Sequence, residues 1–166
     1  MAGFHTKTFL DFDDYITPKS AWENIKQYIP QNKIIWEAFY CDGMSGKYLS
    51  ELGFNTIHEK IDFFENNKGD VIVSNPPFTK TKEILMRLKE LDKPFILILP
   101  AAKIFTLYVR NLFSDDNERL QIIIPRKRIQ FTKLKNGKTE FNNKCNFDCL
   151  YYCWKINLYN DIIWLK

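Results

Sequence analysis

The chain has 166 residues, 45% hydrophobic and 16% aromatic, which suits one compact domain with its own core and excludes a disordered segment. A formal net charge of +4 permits a nucleic-acid partner without demanding one. The longest apolar runs, such as Ile96-Leu97-Ile98-Leu99, are too short to span a bilayer, and no long apolar leader opens the sequence. A single intracellular domain over residues 1–166 is expected, with no membrane partner and no separate target-recognition domain.

Thr17-Pro18 reads as an N-cap followed by proline at the first helical position, and Ala21, Trp22, Ile25 and Tyr28 form a helical stripe that stops before Pro30. A helix over 18–28 is predicted. Residues 34–39 read as a strand, and the turn Phe39-Tyr40-Cys41-Asp42-Gly43-Met44-Ser45-Gly46 leads into a helix over 45–52 closed by Gly53. Strands are predicted over 54–59 and 70–74. An amphipathic helix follows over 79–91, with Ile84, Leu85, Leu88 and Leu91 on one side. Then come a buried-type strand over 95–99, a helical segment over 101–113 and a further strand over 120–124. Strands alternating with helices predict an α/β fold with a mostly parallel sheet and helices on both faces. The C-terminal part breaks the rhythm. Residues 133–146, containing Asn136-Gly137, read as a long turn or loop, and the aromatic strand over 147–156 has no helix before it. That strand is predicted to return antiparallel beside 120–124.

Three of the four cysteines, Cys145, Cys149 and Cys153, recur every fourth residue in an apolar segment. Without a CxxC knuckle or a nearby histidine they read as buried thiols in a strand, and no metal site is expected.

The tetrapeptide Asn75-Pro76-Pro77-Phe78 directly follows the apolar run Val71-Ile72-Val73-Ser74. It sets an amide, a rigid turn and an aromatic face at a strand end. Two prolines fix two φ angles and remove two backbone donors, so nearby carbonyls can face a ligand. An exocyclic NH2 that gives both hydrogens to such oxygens loses conjugation with its ring and exposes a lone pair. Phe78 offers a stacking surface for that ring. The plainer alternative is a Pro-Pro loop whose Asn caps the next helix, with Phe78 simply buried.

Ligands of open α/β sheets bind beyond the carboxyl ends of the strands, where strand order reverses. Gly43 and Gly46 would let a ligand approach the turn closely, and Asp42 or Glu37 would take an ammonium group. Asp62-Phe63-Phe64 would hydrogen-bond and clamp a purine, with Glu59 competing for a ribose. An ordinary turn-starting Asp beside core phenylalanines fits the same residues.

Phe39-x-x-Asp42-Gly43-x-x-Gly46, then Asp62-Phe63-Phe64, then Asn75-Pro76-Pro77-Phe78, preceded by Tyr15-Ile16-Thr17-Pro18, resembles the class I S-adenosylmethionine-dependent amino-methyltransferases. The similarity is to the N6-adenine group, and in length to its short virus-like or phage-like members. The resemblance implies a Rossmann-like sheet, S-adenosylmethionine as cofactor and direct methyl transfer without a covalent enzyme intermediate. It further implies that Tyr15, Thr17 and Pro18 lie near the methionine carboxylate. Glu37, Phe39, Asp42, Gly43 and Gly46 would line the methionine end, Glu59 or Asp62 with Phe63 would hold the nucleoside, and Asn75 to Phe78 would grip the target base. Two departures stand out. Met44 and Ser45 replace smaller residues, and the interval before Asn75 is so short that either the sheet lost an element or the strand count is off by one.

A base inside a duplex cannot reach such a pocket, so the target would be a flipped or unpaired adenine, in DNA or RNA. Lys80, Arg126, Lys127 and Arg128 are the residues placed to neutralise phosphates, a solvated strand exit being the alternative for the last three. Target selection would fall to residues 133–146, to residues 1–15, or to a partner subunit. Two rival functions share the tetrad or the fold: methylation of glutamine side-chain amides in proteins, and a non-catalytic scaffold subunit. Carbon methylation is excluded by the lack of a cysteine after any proline.

Overall fold

The computed structural model describes residues 15–135, 138–140 and 147–166. Its strands are β1 (Tyr15–Ile16), β2 (Ile35–Trp36), β3 (Thr56–Ile57), β4 (Val71–Ser74), β5 (Phe95–Pro100), β6 (Gln121–Ile124), β7 (Thr132–Lys135), β8 (Lys138–Glu140), β9 (Cys149–Trp154) and β10 (Ile162–Trp164). The α-helices are α1 (Lys19–Glu23), α2 (Met44–Glu51), α3 (Thr81–Glu90) and α4 (Leu107–Phe113). No described helix is long and apolar enough to cross a membrane.

Seven strands form one sheet in the order β10-β6-β9-β5-β4-β2-β3, and β9 runs antiparallel to both β5 and β6 while the other pairings are parallel. The chain leaves β2 through α2 to β3 on one side, then crosses to β4 and β5 on the other. Strand order therefore reverses between β2 and β4, as in a doubly wound sheet. A full doubly wound sheet carries three strands in its first half. Here there are two, so the short interval before Asn75 reflects a lost strand and helix, and residues 61–65 make only a turn. With one antiparallel strand inserted near the C-terminal edge, this is a Rossmann-like α/β sheet.

Right-handed crossovers running in opposite directions place α2 and α3 on opposite faces. α1 packs with α2 and α4 with α3, so each face carries a helix pair. β9 shows the consequence residue by residue. Tyr151 turns its hydroxyl to the Ala21 carbonyl of α1 at 2.6 Å, while Trp154, on the opposite face by strand alternation, packs against Phe95 and Phe113 of α4. Tyr152 points the same way as Trp154 and donates to the Pro100 carbonyl at 2.7 Å. Cys149 and Cys153 are buried thiols on the Tyr151 side, Cys41 is exposed, and Cys145 lies outside the described residues.

Several local expectations change. The helix predicted over 18–28 is α1 followed by a 3-10 turn over Lys26–Tyr28, and Pro18 rather than Thr17 is its cap residue. The segment 101–113 starts as a 3-10 turn over Ala101–Phe105 before α4. The predicted loop over 133–146 contains a hairpin, β7 and β8, registered Lys135 opposite Lys138 and Lys133 opposite Glu140. β7 also pairs antiparallel with β1, Tyr15 opposite Lys133 and Ile16 opposite Thr132, making a separate three-stranded sheet.

Candidate active site

β2 and β4 are parallel neighbours, so their carboxyl ends lie side by side at the reversal point. Glu37 follows β2 and Ser74 ends β4. The Ser74 hydroxyl donates to Glu37 Oε1, and the Phe39 amide donates to the same oxygen at 3.4 Å. Glu37 is 1% exposed, and its Oε2 has no hydrogen-bond partner among the described residues. Burial pushes the carboxyl up to about 8, Ser74 and the Phe39 amide pull it down, and Asp42 adds a small upward push. A buried acid with one tethered and one unpartnered oxygen is suited to a cationic partner.

Asn75 is the next residue. Its side-chain Nδ2 donates to the hydroxyl of Thr17 at 3.0 Å, and Thr17 is itself 3% exposed. The carbonyl oxygen Oδ1 is buried and has no partner among the described residues. The amide is thus fixed by its nitrogen, with its acceptor left open. This explains why Thr17 does not cap α1: its hydroxyl is committed across 58 positions of sequence to Asn75.

After Asn75, Pro76 is buried and Pro77 is half-buried. Pro77 accepts the Lys80 amide at 3.1 Å, closing a 3-10 turn over Phe78–Lys80. Thr81 then joins that turn to α3 by donating to the Phe78 carbonyl at 2.7 Å. Pro76 accepts no backbone N–H among the described residues, in keeping with the scarcity of donors around paired prolines.

Phe78 is 9% exposed and meets Phe147 edge-to-face, centroids 5.4 Å apart. Phe147 in turn touches Tyr15 at 5.3 Å and Phe131 at 6.1 Å. Phe78 is therefore the inner member of an aromatic cluster. Sequence reading missed Phe131 and Phe147, because nothing in their spacing ties them to residue 78, and it placed Tyr15 on the cofactor side, whereas the ring joins the cluster beside the tetrad.

The glycine turn is packed more tightly than a purely ligand-facing turn would be. Gly43 sits at φ 78°, and a Cβ there would lie 2.8 Å from the Tyr40 hydroxyl oxygen. Asp42 is exposed and receives the Met44 amide on Oδ1 at 3.0 Å. Gly46 serves packing: a Cβ there would come within 2.3 Å of the His58 side chain, so the glycine lets α2 sit directly against the segment after β3. Gly46→Ala is expected to lower stability by roughly 1–3 kcal/mol through forced displacement of α2, measured by urea unfolding.

Beyond β3, Glu59 is exposed and Asp62 half-buried. Asp62 accepts the Phe64 amide on Oδ1 at 2.7 Å, which makes it the first residue of a tight turn. Phe63 is wholly buried against Trp36 and Phe39, centroids 5.8 and 4.9 Å away. The expectation that Phe39 and Phe63 meet a cofactor is corrected here: both belong to the core. Glu59 and Asp62 nevertheless lie at the same end of the sheet as Glu37.

Of the basic residues, Lys80 lies in the turn after the tetrad, and Arg126 and Lys127 are exposed. Arg128 instead forms a two-point ion pair with Asp148, Nε to Oδ1 at 2.6 Å and Nη2 to Oδ2 at 3.2 Å. It ties the segment after β6 to the start of β9. The pair holds the Asp148 carboxyl below its usual range through that hydrogen bond.

No family model matches this chain, and no curated protein matches it. Among solved structures, a precorrin-6y C5,15-methyltransferase from Geobacter metallireducens GS-15 is similar over 92% of this chain and 99% of its own, at 11% identity and a TM-score of 0.42. A likeness that distant carries no argument about chemistry. The fold assignment rests on the strand order and the single antiparallel strand.

Proposed function

We propose that the protein is an S-adenosylmethionine-dependent methyltransferase acting on the N6 amino group of adenine in a nucleic acid. The observation that carries this reading is the state of Asn75, whose nitrogen is pinned by Thr17 while its buried oxygen stays unpartnered. A buried carbonyl oxygen without a donor is costly, and an incoming NH2 would satisfy it. The Pro76 carbonyl offers the second acceptor. Held by both oxygens, the amine turns its lone pair away from the ring plane.

The cofactor site fits the same reading. The unpartnered Glu37 Oε2 suits the ammonium of an amino-acid moiety, and the turn at Gly43 follows it in the same β2–α2 connection. Glu59 or Asp62 would hold the ribose or the adenine. When bound, S-adenosylmethionine supplies a methyl group on an electrophilic sulfonium, so the protein needs alignment rather than a general base. The aromatic cluster of Phe78, Phe147, Phe131 and Tyr15 favours a planar heteroaromatic substrate over a glutamine side chain. Lys80, Arg126 and Lys127 would contact phosphates, with residues 133–146 or a partner subunit selecting the target.

The test is transfer of a labelled methyl group from S-adenosylmethionine to separate pools of single-stranded DNA, duplex DNA, RNA and denatured protein. Label recovered as N6-methyladenine from a nucleic-acid pool is expected. Label confined to protein would replace this reading by glutamine methylation, and S-adenosylmethionine binding without transfer would replace it by a scaffold role.

A further inference from the structure

β10 is one edge of the large sheet, and among the described residues no strand lies on its outer side. The Asp161 carbonyl accepts the Ile122 amide at 2.8 Å, and the Leu165 amide donates to the Ile124 carbonyl at 3.0 Å. In a parallel ladder successive residues turn their backbone groups to opposite sides, so residues 161, 163 and 165 face β6 while Ile162 and Trp164 direct both N–H and C=O outward. The same two residues carry exposed side chains, 55% for Ile162 and 71% for Trp164, whereas Ile163 between them is 3% exposed. Free edges are ordinarily protected by lysine, proline or a bulge. This one presents isoleucine and tryptophan.

We propose that β10 pairs antiparallel with β10 of a second copy about a twofold axis through Ile163. Backbone direction, together with full overlap of the three-residue strand, selects one register. Outward backbone groups must meet outward backbone groups, which sets Ile162 opposite Trp164 of the second copy. Residues opposite each other in an antiparallel ladder must also lie on the same face, and Ile162 and Trp164 do. One register therefore closes four backbone hydrogen bonds and makes two identical Ile–Trp cross-strand pairs, a β-branched–aromatic combination that favours pairing. A slip of one residue would lose both.

The surroundings agree with a self-complementary seam. Ile162 lies beside Ile122 and Trp164 beside Ile124 in the β6 register. Ile122 borders an apolar groove shared with Ile104, Phe105 and Phe113, and Phe105 is 88% exposed. Apolar surface thus runs from the groove to the edge in each copy and becomes continuous across the axis. No like charges meet: Asp161 is paired to Arg119 within its own copy at 2.9 Å, and Asn160 falls opposite Lys166. With a three-residue strand at its centre the interface belongs to the small class, so exchange in the micromolar range is expected.

The four tryptophans give a direct readout. Trp22, Trp36 and Trp154 are fully buried, leaving Trp164 as the exposed one. Acrylamide quenching of the full chain is expected to fall severalfold between roughly 1 and 100 µM protein, in step with a monomer-to-dimer rise in sedimentation coefficient. The double variant Ile162→Lys, Trp164→Lys is expected to stay monomeric over that range, to keep the midpoint that the wild type shows at about 1 µM, where it is monomeric, because both side chains are exposed, and to keep methyl-transfer activity because β10 is four strands from β4. A chain that stays monomeric, a dimer that the double variant forms equally well, a dimer in which Trp164 remains quenchable, or open-ended oligomers would each overturn the proposal.

Discussion

Asn75→Ala is expected to cut methyl transfer by at least about 10²–10³-fold while leaving S-adenosylmethionine affinity within a few fold of wild type. The substitution removes the acceptor that orients the substrate amine but touches neither Glu37 nor the turn at Gly43. Steady-state transfer and equilibrium cofactor binding, measured side by side, separate the two effects. Full activity in the variant would remove Asn75 from the reaction. Thr17→Val supplies the finer version. It keeps the shape of a buried side chain but frees the Asn75 nitrogen, so the amide can rotate and present N–H where oxygen is needed. A loss of roughly 10–100-fold in kcat with unchanged cofactor affinity is expected, the equivalent of one mis-set buried hydrogen bond.

The second large effect concerns Glu37 and pH. Its folded-state carboxyl titrates near 8, against 4.5 ordinarily, because burial disfavours the charged form. Between those values the folded chain holds a proton that the unfolded chain has released, so stability falls as pH rises. The contribution is fully present below about pH 4.5, declines by roughly 1 kcal/mol per pH unit, and is gone once the pH has passed through about 8. Glu37→Gln mimics the protonated acid at every pH. Urea unfolding of the two proteins is expected to coincide near pH 5, with the variant more stable at pH 8; parallel pH profiles would show that Glu37 does not titrate as its burial requires. Where an ammonium occupies the open Oε2, the acid must ionise, so cofactor binding near pH 7 should release a proton. Calorimetry in buffers of different ionisation enthalpy reads that proton. The variant should release none and bind roughly 10–100-fold more weakly.

The large sheet was legible because its strands are short continuous apolar runs separated by helical periodicity, a pattern that buried parallel strands impose on sequence. The return of β9 beside β6 followed from the missing helix before it, although its longer pairing with β5 did not. β10 escaped notice because three residues leave no periodicity to count. The β7–β8 hairpin escaped because Thr132-Lys133-Leu134-Lys135 and Lys138-Thr139-Glu140 are polar segments, and the Asn-Gly dipeptide between them, a strong hairpin signal, was weighed as a loop.

At the site, the tetrad and Glu37 were legible from type and position. Ser74 was not, since a serine ending a strand is unremarkable until its hydroxyl is seen to reach Glu37. Thr17 was singled out for a different task from the one its hydroxyl performs. A run of cations likewise does not reveal that Arg128 pairs with Asp148, 20 positions away.

The bond between Thr17 and Asn75 has a mechanical consequence. Thr17 directly follows β1, and β1 is zipped to the hairpin strand β7 over only two residues. Sliding that zipper by a single notch would carry Thr17 about 3.3 Å along the strand, more than a hydrogen bond tolerates, and would unlatch the amide while leaving the seven-stranded sheet untouched. Whatever seats the hairpin therefore also sets the aim of Asn75.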